Sequence, residues 1–207
     1  MKEGMENRSL PCIVLATGSS YKIALFERLG LPFTSCSPDY EEIIPPGRAP
    51  EHVARELAEG KARSLVEAFP DHLIIGADQV LALGSEIFQK PLTTERAVAQ
   101  LMRLGGKTHF LHTAVCLLNT RVGENDRARH LMVSSAITFY DDLDGSVLYR
   151  LVKADASQDC VGGYKFESRG IQLMKCVETS DTNAIVGLPL LGLVGELRDL
   201  GYFDEPL

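Results

Sequence analysis

Apolar residues fall along this chain in two kinds of pattern. Short unbroken runs, Cys12 to Ala16 and Leu73 to Ala77, read as strands buried on both faces. Spaced apolar positions mark helices. Ile23, Leu25, Phe26 and Leu29 recur at helical intervals between Ser20, a candidate N-cap, and Gly30, a candidate C-cap. Val53, Leu57, Ala58, Ala62, Leu65 and Val66 make an apolar stripe that predicts a helix over Glu51 to Phe69.

Phe33 to Ser37 suits a second short strand. Residues 38–50, with four prolines and Glu41-Glu42, form a loop. The Leu73 strand runs into Asp78-Gln79 and resumes over Val80 to Leu83, before a tight turn at Gly84-Ser85. Gln89-Lys90-Pro91 is a loop. Thr93 or Thr94 opens a helix that ends near Gly105-Gly106. Thr108 to Asn119 and His130 to Tyr140 suit β-structure, joined as a hairpin by the polar stretch Thr120 to Arg129. Asp144 to Lys153 and Leu188 to Leu200 read as helices, and Val161 to Val177 follows neither period. Alternating helical and strand patterns predict an α/β fold, and the long hairpin predicts a mixed sheet. Residues 1–10 are expected to be a loose tail, and 11–207 one domain without a linker.

Composition narrows the function classes. Hydrophobic residues are 45% and charged residues 24%, as in a globular protein, and no run approaches the length of a membrane span. The net charge of −7, from 28 acids against 21 bases, argues against a partner made of long nucleic acid. A polyanion bound here should be small and held by a local basic pocket. Cys12, Cys36, Cys116, Cys160 and Cys176 are odd in number and scattered, which fits reduced thiols in a cytoplasmic protein rather than a disulfide framework.

Five sets of residues could carry chemistry, and each has an ordinary reading beside it. Thr17 to Lys22 lies at a strand-to-helix junction. It offers backbone N–H groups, hydroxyls and a lysine to a phosphate, or is simply a capped helix start. Asp78 follows a buried strand and could ligate a metal or orient water, or be a solvated strand-end acid. Lys22, Lys61 and Lys90 could together balance a triphosphate, or each be solvated separately. Glu41-Glu42 could serve Mg²⁺ or Mn²⁺, or be an acidic loop. His109 and His112 lie three apart in a strand, so their rings point to opposite faces and do not suit a shared metal.

Several segments together resemble the Maf family of nucleoside triphosphate pyrophosphatases. They are LATGSSYK (15–22), PDYEE (38–42), EGKA (59–62), IIGADQV (74–80), QKPL (89–92), HTAVCL (112–117), GGYKFESRG (162–170) and VGLPL (186–190). The resemblance spans about Ile13 to Gly201. It implies an elongated mixed sheet flanked by helices, with two lobes around a central cleft, similar to inosine triphosphate pyrophosphatases. It also implies release of pyrophosphate from a nucleotide with a divalent cation, Mg²⁺ or Mn²⁺, and a homodimer. Asp78 falls on the family's catalytic acid, Ser19, Lys22, Lys61 and Lys90 on its phosphate-handling positions, and Glu42 on an acid near the metal, which Asp78 would share.

Tyr21, Gln79 and Glu167 resemble the 7-methyl-GTP branch, where members acting on dTTP and UTP carry Arg, Thr and Gln. An aromatic face suits a base made cationic by N7-methylation. A carboxylate such as Glu167 can accept from both guanine N1–H and N2–H₂. The chain departs from the family pattern at Ser20, Ile23 and Gln89, where proline, a second base and glycine are usual, and Tyr21 replaces the branch's usual tryptophan. In the mechanism so implied, Asp78 deprotonates a water that attacks the α-phosphorus. Two other functions stay open: a dTTP/UTP pyrophosphatase, and a non-catalytic nucleotide-binding regulator of cell division.

Overall fold

The computed structural model describes residues 9–121 and 128–204. The tail expected over residues 1–10 lies outside the described residues except for Ser9 and Leu10. So does most of the turn expected within Thr120 to Arg129.

The chain builds a mixed seven-stranded sheet with helices packed on it. Its strands are β1 (Cys12–Ala16), β2 (Phe33–Cys36), β3 (His72–Leu83), β4 (Glu86–Phe88), β5 (Thr108–Asn119), β6 (Ala128–Phe139) and β7 (Met174–Glu178). Their order across the sheet is β2-β1-β3-β5-β6-β7, with β4 on the outer end of β3. β1 runs parallel to β2 and β3, and all other pairings are antiparallel. The helices are α1 (Ser20–Glu27), α2 (Pro50–Arg63), α3 (Thr94–Leu104), α4 (Gly145–Asp155), α5 (Thr182–Val186) and α6 (Leu190–Asp199).

Three twelve-residue strands, β3, β5 and β6, form the centre of the sheet and carry several hydrophobic clusters. One packs α3 and α4 against Leu81, Leu111, Ile137 and Phe139. Another packs α1 and α6 against Ile13, Leu15, Leu73, Ile75, Val115 and Leu117. Both clusters therefore pack on one continuous sheet.

Several element boundaries differ from the sequence pattern. Ser19, not Ser20, caps α1: its side chain accepts from Lys22 N, and Ser20 is the first helical residue. Gly30 lies beyond the helix in the left-handed region, φ +68°, after Arg28 has ended it. Helix α2 begins one residue earlier, at Pro50, where the missing proline N–H costs nothing in the first turn. It stops at Arg63, although Leu65 still packs inward. Asp78 does not end a strand: β3 passes straight through it, because β5 pairs with it from Leu73 to Ala82. The stretch Val161 to Val177 combines short 3₁₀ turns with the start of β7, a strand that the sequence pattern does not predict. The exposed residues of β7 alternate poorly, and only its pairing with β6 reveals it.

The candidate active-site cleft

An edge left open in the sheet creates the cleft. Strand β1 ends at Ala16, opposite Gly76, and β4 begins pairing with β3 only at Leu81. Residues 77–80 of β3 therefore have no strand on that side. Unpaired backbone groups there need other partners. Lys22 supplies one: from the first turn of α1 its Nζ donates to the Ala77 carbonyl at 2.8 Å. A cleft of about 830 Å³ opens along this edge, lined by Ser19, Tyr21, Lys22, Glu42, Lys61, Asp78, Gln79, Lys90 and Glu167 among others. All eight positions expected at the phosphates, the base or the metal, together with Asp78, face this one space.

At its centre Lys61 joins two carboxylates from different parts of the chain. Its Nζ forms an ion pair with Asp78 Oδ1 and donates to Glu42 Oε1 at 2.7 Å. Asp78 is buried, while Glu42 is half exposed. The motif around Lys61 explains how they meet. Gly60 leaves room for the Tyr40 ring: a Cβ there would lie 2.2 Å from its Cζ. That close packing brings the 38–42 loop, and Glu42 with it, against α2. Gly76 leaves room for α2 itself, since a Cβ on it would lie 2.2 Å from the Ala58 carbonyl oxygen. The close approach of helix to strand sets Lys61 over Asp78, two residues along β3.

Electrostatics follow from this geometry. Burial opposes a charge on Lys61, but Asp78 and Glu42 outweigh it and hold the lysine above its usual range. Burial also opposes charge on Glu42, and Lys61, Lys90 and Lys22 overcome that and lower it. Lys22 goes the other way. Burial pushes it down to about 8, Asp78 pushing back and Lys61 and Lys90 adding to the fall. Between about pH 8 and its unfolded value of 10.5 the unfolded chain then binds more protons, so this group favours folding increasingly as pH rises through that window. Lys22, Lys61 and Lys90 thus gather around Glu42 and Asp78 in a protein whose net charge is negative.

Lys90 reaches the cleft from the loop after β4. The Gln89 carbonyl accepts from Gln100 Nε2 of α3 at 2.8 Å, and Leu92 N donates to the Gln158 carbonyl at 2.9 Å. The loop is thus tied on both sides of the lysine, and Gln89 takes part through its backbone. Ile23, at the position where the family usually has a second base, is partly buried and packs against the core beneath α1. Ser20 stays exposed.

Gln79 has a structural duty that its sequence position did not suggest. Its Nε2 contacts Thr113 Oγ1 at 3.0 Å and the carbonyls of Ala184 and Ile185 at 2.8 and 3.0 Å, fastening α5 to β3. Asp181, also unforeseen, is buried and holds both ends of that region. Its carboxylate accepts from Asn183 N at 2.9 Å and from Leu191 N, in the first turn of α6, at 2.7 Å. The only sequence signal for it was an acid just before a short apolar run. His109 and His112 do point to opposite sides: His109 packs with Phe139 and Tyr164, whereas His112 Nδ1 lies 2.8 Å from Ser134 Oγ.

Among the described residues no group of three or more histidine, cysteine, aspartate or glutamate side chains could by itself hold a metal ion. Glu42 and Asp78 are a pair. One or two carboxylates, with substrate phosphates and waters, are the donor set Mg²⁺ commonly takes. The residues present therefore fit a metal that arrives with a phosphorylated ligand.

A family model described as Maf-like protein matches residues 12–200. A 7-methyl-GTP pyrophosphatase from Nitrosococcus oceani is 39% identical over 192 residues, covering 93% of this chain and 94% of that one. Its counterpart from Aromatoleum aromaticum is 40% identical, covering 91% and 95%. That from Pseudomonas aeruginosa is 38% identical, covering 93% and 98%. Among solved structures, a nucleoside-triphosphatase / dITP/XTP pyrophosphatase from Mycobacterium abscessus superposes with a TM-score of 0.39 at 19% identity, over 62% of this chain and 73% of that one.

Proposed function

We propose that this chain, which belongs to the Maf-like protein family, is a nucleoside triphosphate pyrophosphatase whose substrate is a 7-methylated guanine nucleotide. One observation carries the reading. A buried carboxylate, Asp78, is pinned through one oxygen by Lys61 in a cleft that Lys22, Lys90, Tyr21 and Glu167 also line. Cations suit the phosphates, and an aromatic with an acid suits a cationic guanine. The names carried by relatives 38–40% identical over nearly the whole chain support the same reading.

Each residue has a role in the proposal. Lys22, Lys90 and the Ser19 cap at the start of α1 bind and orient the triphosphate. Lys61 fixes the Asp78 carboxylate through Oδ1, which leaves Oδ2 to hold a water and take its proton. The water's oxygen forms the new bond to the α-phosphorus as the bond to the bridging oxygen breaks, and pyrophosphate leaves. Glu42 and Asp78 would hold Mg²⁺ or Mn²⁺, whose chemistry is to neutralise charge on the phosphate oxygens. Positioning and charge balance supply most of the catalysis in such transfers. At the other end Tyr21 stacks on the base, Glu167 accepts from N1–H and N2–H₂, and Gln79 acts indirectly by holding α5 at the edge of the cleft.

A substrate panel with pyrophosphate detection tests the function. Turnover of 7-methyl-GTP well above that of UTP and dTTP is expected, and the reverse order would transfer the assignment to the pyrimidine nucleotides. Binding without metal-dependent hydrolysis would support the regulator instead. Glu167→Gln should lower the preference for 7-methyl-GTP over UTP by about tenfold, because an amide replaces one charge-assisted acceptor with a donor. An unchanged preference would remove Glu167 from base recognition.

Lys22 adds a pH signature. With a value of about 8 in the free protein, it is charged below that pH and progressively neutral above it. KM for the triphosphate should accordingly rise above pH 8, and Lys22→Arg, which stays charged, should flatten the rise. A KM profile identical in both proteins through pH 7–9.5 would exclude Lys22 from phosphate binding.

A further inference from the structure

The base end of the cleft holds a cation that the proposed substrate does not require. The Nζ of Lys165 lies 5.3 Å from the centroid of the Tyr21 ring and donates to the Asp155 carbonyl at 2.5 Å. It is held there from behind. The buried carboxylate of Asp155 accepts from Ser168 Oγ at 3.0 Å, Arg169 N at 2.9 Å and Arg169 Nη1 at 3.3 Å. Gly170 closes the loop tightly, since a Cβ on it would lie 2.4 Å from the Lys165 carbonyl oxygen. Tyr21, Lys165 and Glu167 line both the main cleft and an adjoining hollow of about 540 Å³.

An aromatic ring attracts any cation to its face, so an ammonium already there competes with a second positive group. Lys165 also lines the same hollow as Glu167, near enough for its charge to offset the carboxylate that would attract a cationic base. Both effects act in one direction. A neutral purine stacks on Tyr21 without penalty, whereas a purine carrying an N7-methyl cation meets a like charge.

We infer that Lys165 is a specificity-determining residue, which sets the charge of the base accepted at Tyr21 and narrows discrimination between 7-methyl-GTP and GTP. This rests on the proposed function, and it adds that the chain discriminates less by charge than Tyr21 and Glu167 alone would. Repulsion between unit charges at this range in a partly solvated site corresponds to about fivefold in affinity.

The test compares kcat/KM for 7-methyl-GTP and GTP in the unmodified protein, Lys165→Gln and Lys165→Arg. Glutamine keeps an N–H donor for the Asp155 carbonyl and removes the charge, and arginine keeps the charge. The ratio of 7-methyl-GTP to GTP should rise about fivefold in the glutamine variant, less at high salt, and stay unchanged in the arginine variant. An unchanged ratio in Lys165→Gln would overturn the inference and leave the proposed function standing. Equal changes in both variants would overturn it in favour of loop packing. If the unmodified protein hydrolyses neither guanine nucleotide, the proposed substrate falls, and this inference with it.

Discussion

Asp78→Asn is expected to reduce pyrophosphate release by about a thousandfold, the middle of the range for losing a general base. The substitution is nearly isosteric, and its side-chain oxygen can still accept from Lys61. The contacts between α2 and β3, built on Gly76 and Ala58, are untouched. Lys61 also keeps its bond to Glu42. The melting curve and circular dichroism should therefore change little while kcat collapses. Near-normal turnover would show that another group activates the water. A large loss of stability instead would show that the Asp78 charge mainly balances Lys61, whose burial otherwise goes uncompensated. Measuring kcat and stability together separates the two. KM discriminates further: the phosphates are held by Lys22 and Lys90 in the proposal, so it should move much less than kcat.

Local pattern made much of the fold legible. Cys12 to Ala16, the long β5–β6 pair and α3 follow from short-range periodicity, because each buries a regular face. Failures occurred where a distant partner decides. β7 exists because β6 pairs with it, and α2 stops at Arg63 although its apolar stripe continues through Leu65. β3 is one strand through Asp78 because β5 zips along it, which no window around Asp78 contains.

The site divides in the same way. Family motifs brought Ser19, Lys22, Glu42, Lys61, Asp78, Lys90, Tyr21, Gln79 and Glu167 to notice, and the fold gathers them around one cleft. Their connections were not legible. Lys61 lies 17 residues from Asp78, and Gln79 lies 105 residues from the carbonyl of Ala184 that it binds. Net charge argued against long nucleic acid but did not give the sign of the ligand, for a physical reason: the few charges facing the open edge of β3 act on a ligand there, and distant surface charges are screened. Lys165 shows the same limit. No sequence pattern singles it out, and its place over the Tyr21 ring gives it a part in selection.

Gly76→Ala should have the largest effect on stability of any single methyl group added near the site. The new Cβ would stand 2.2 Å from the Ala58 carbonyl oxygen, 2.8 Å from Ala62 N and 3.0 Å from Ala62 Cβ. Two of these three are backbone atoms of α2, which no rotamer change can move aside. Helix and strand must separate, opening the packing that surrounds Val14, Ile74 and Cys116. Overpacking of this kind costs about 1–3 kcal/mol, and backbone contact puts this case at or above the upper end. The same displacement lifts Lys61 from Asp78, since both are set by the approach of α2 to β3. A destabilised protein should therefore also lose activity at temperatures where it remains folded. Glu86→Ala, which removes only an exposed ion pair with Arg103, is the matched control and should cost less than about 1 kcal/mol. A Gly76→Ala protein with normal melting temperature and normal turnover would mean that the close helix–strand approach is not what positions Lys61. Stability lost with turnover intact would mean that Lys61 is held through Glu42 and the Tyr40–Gly60 contact instead.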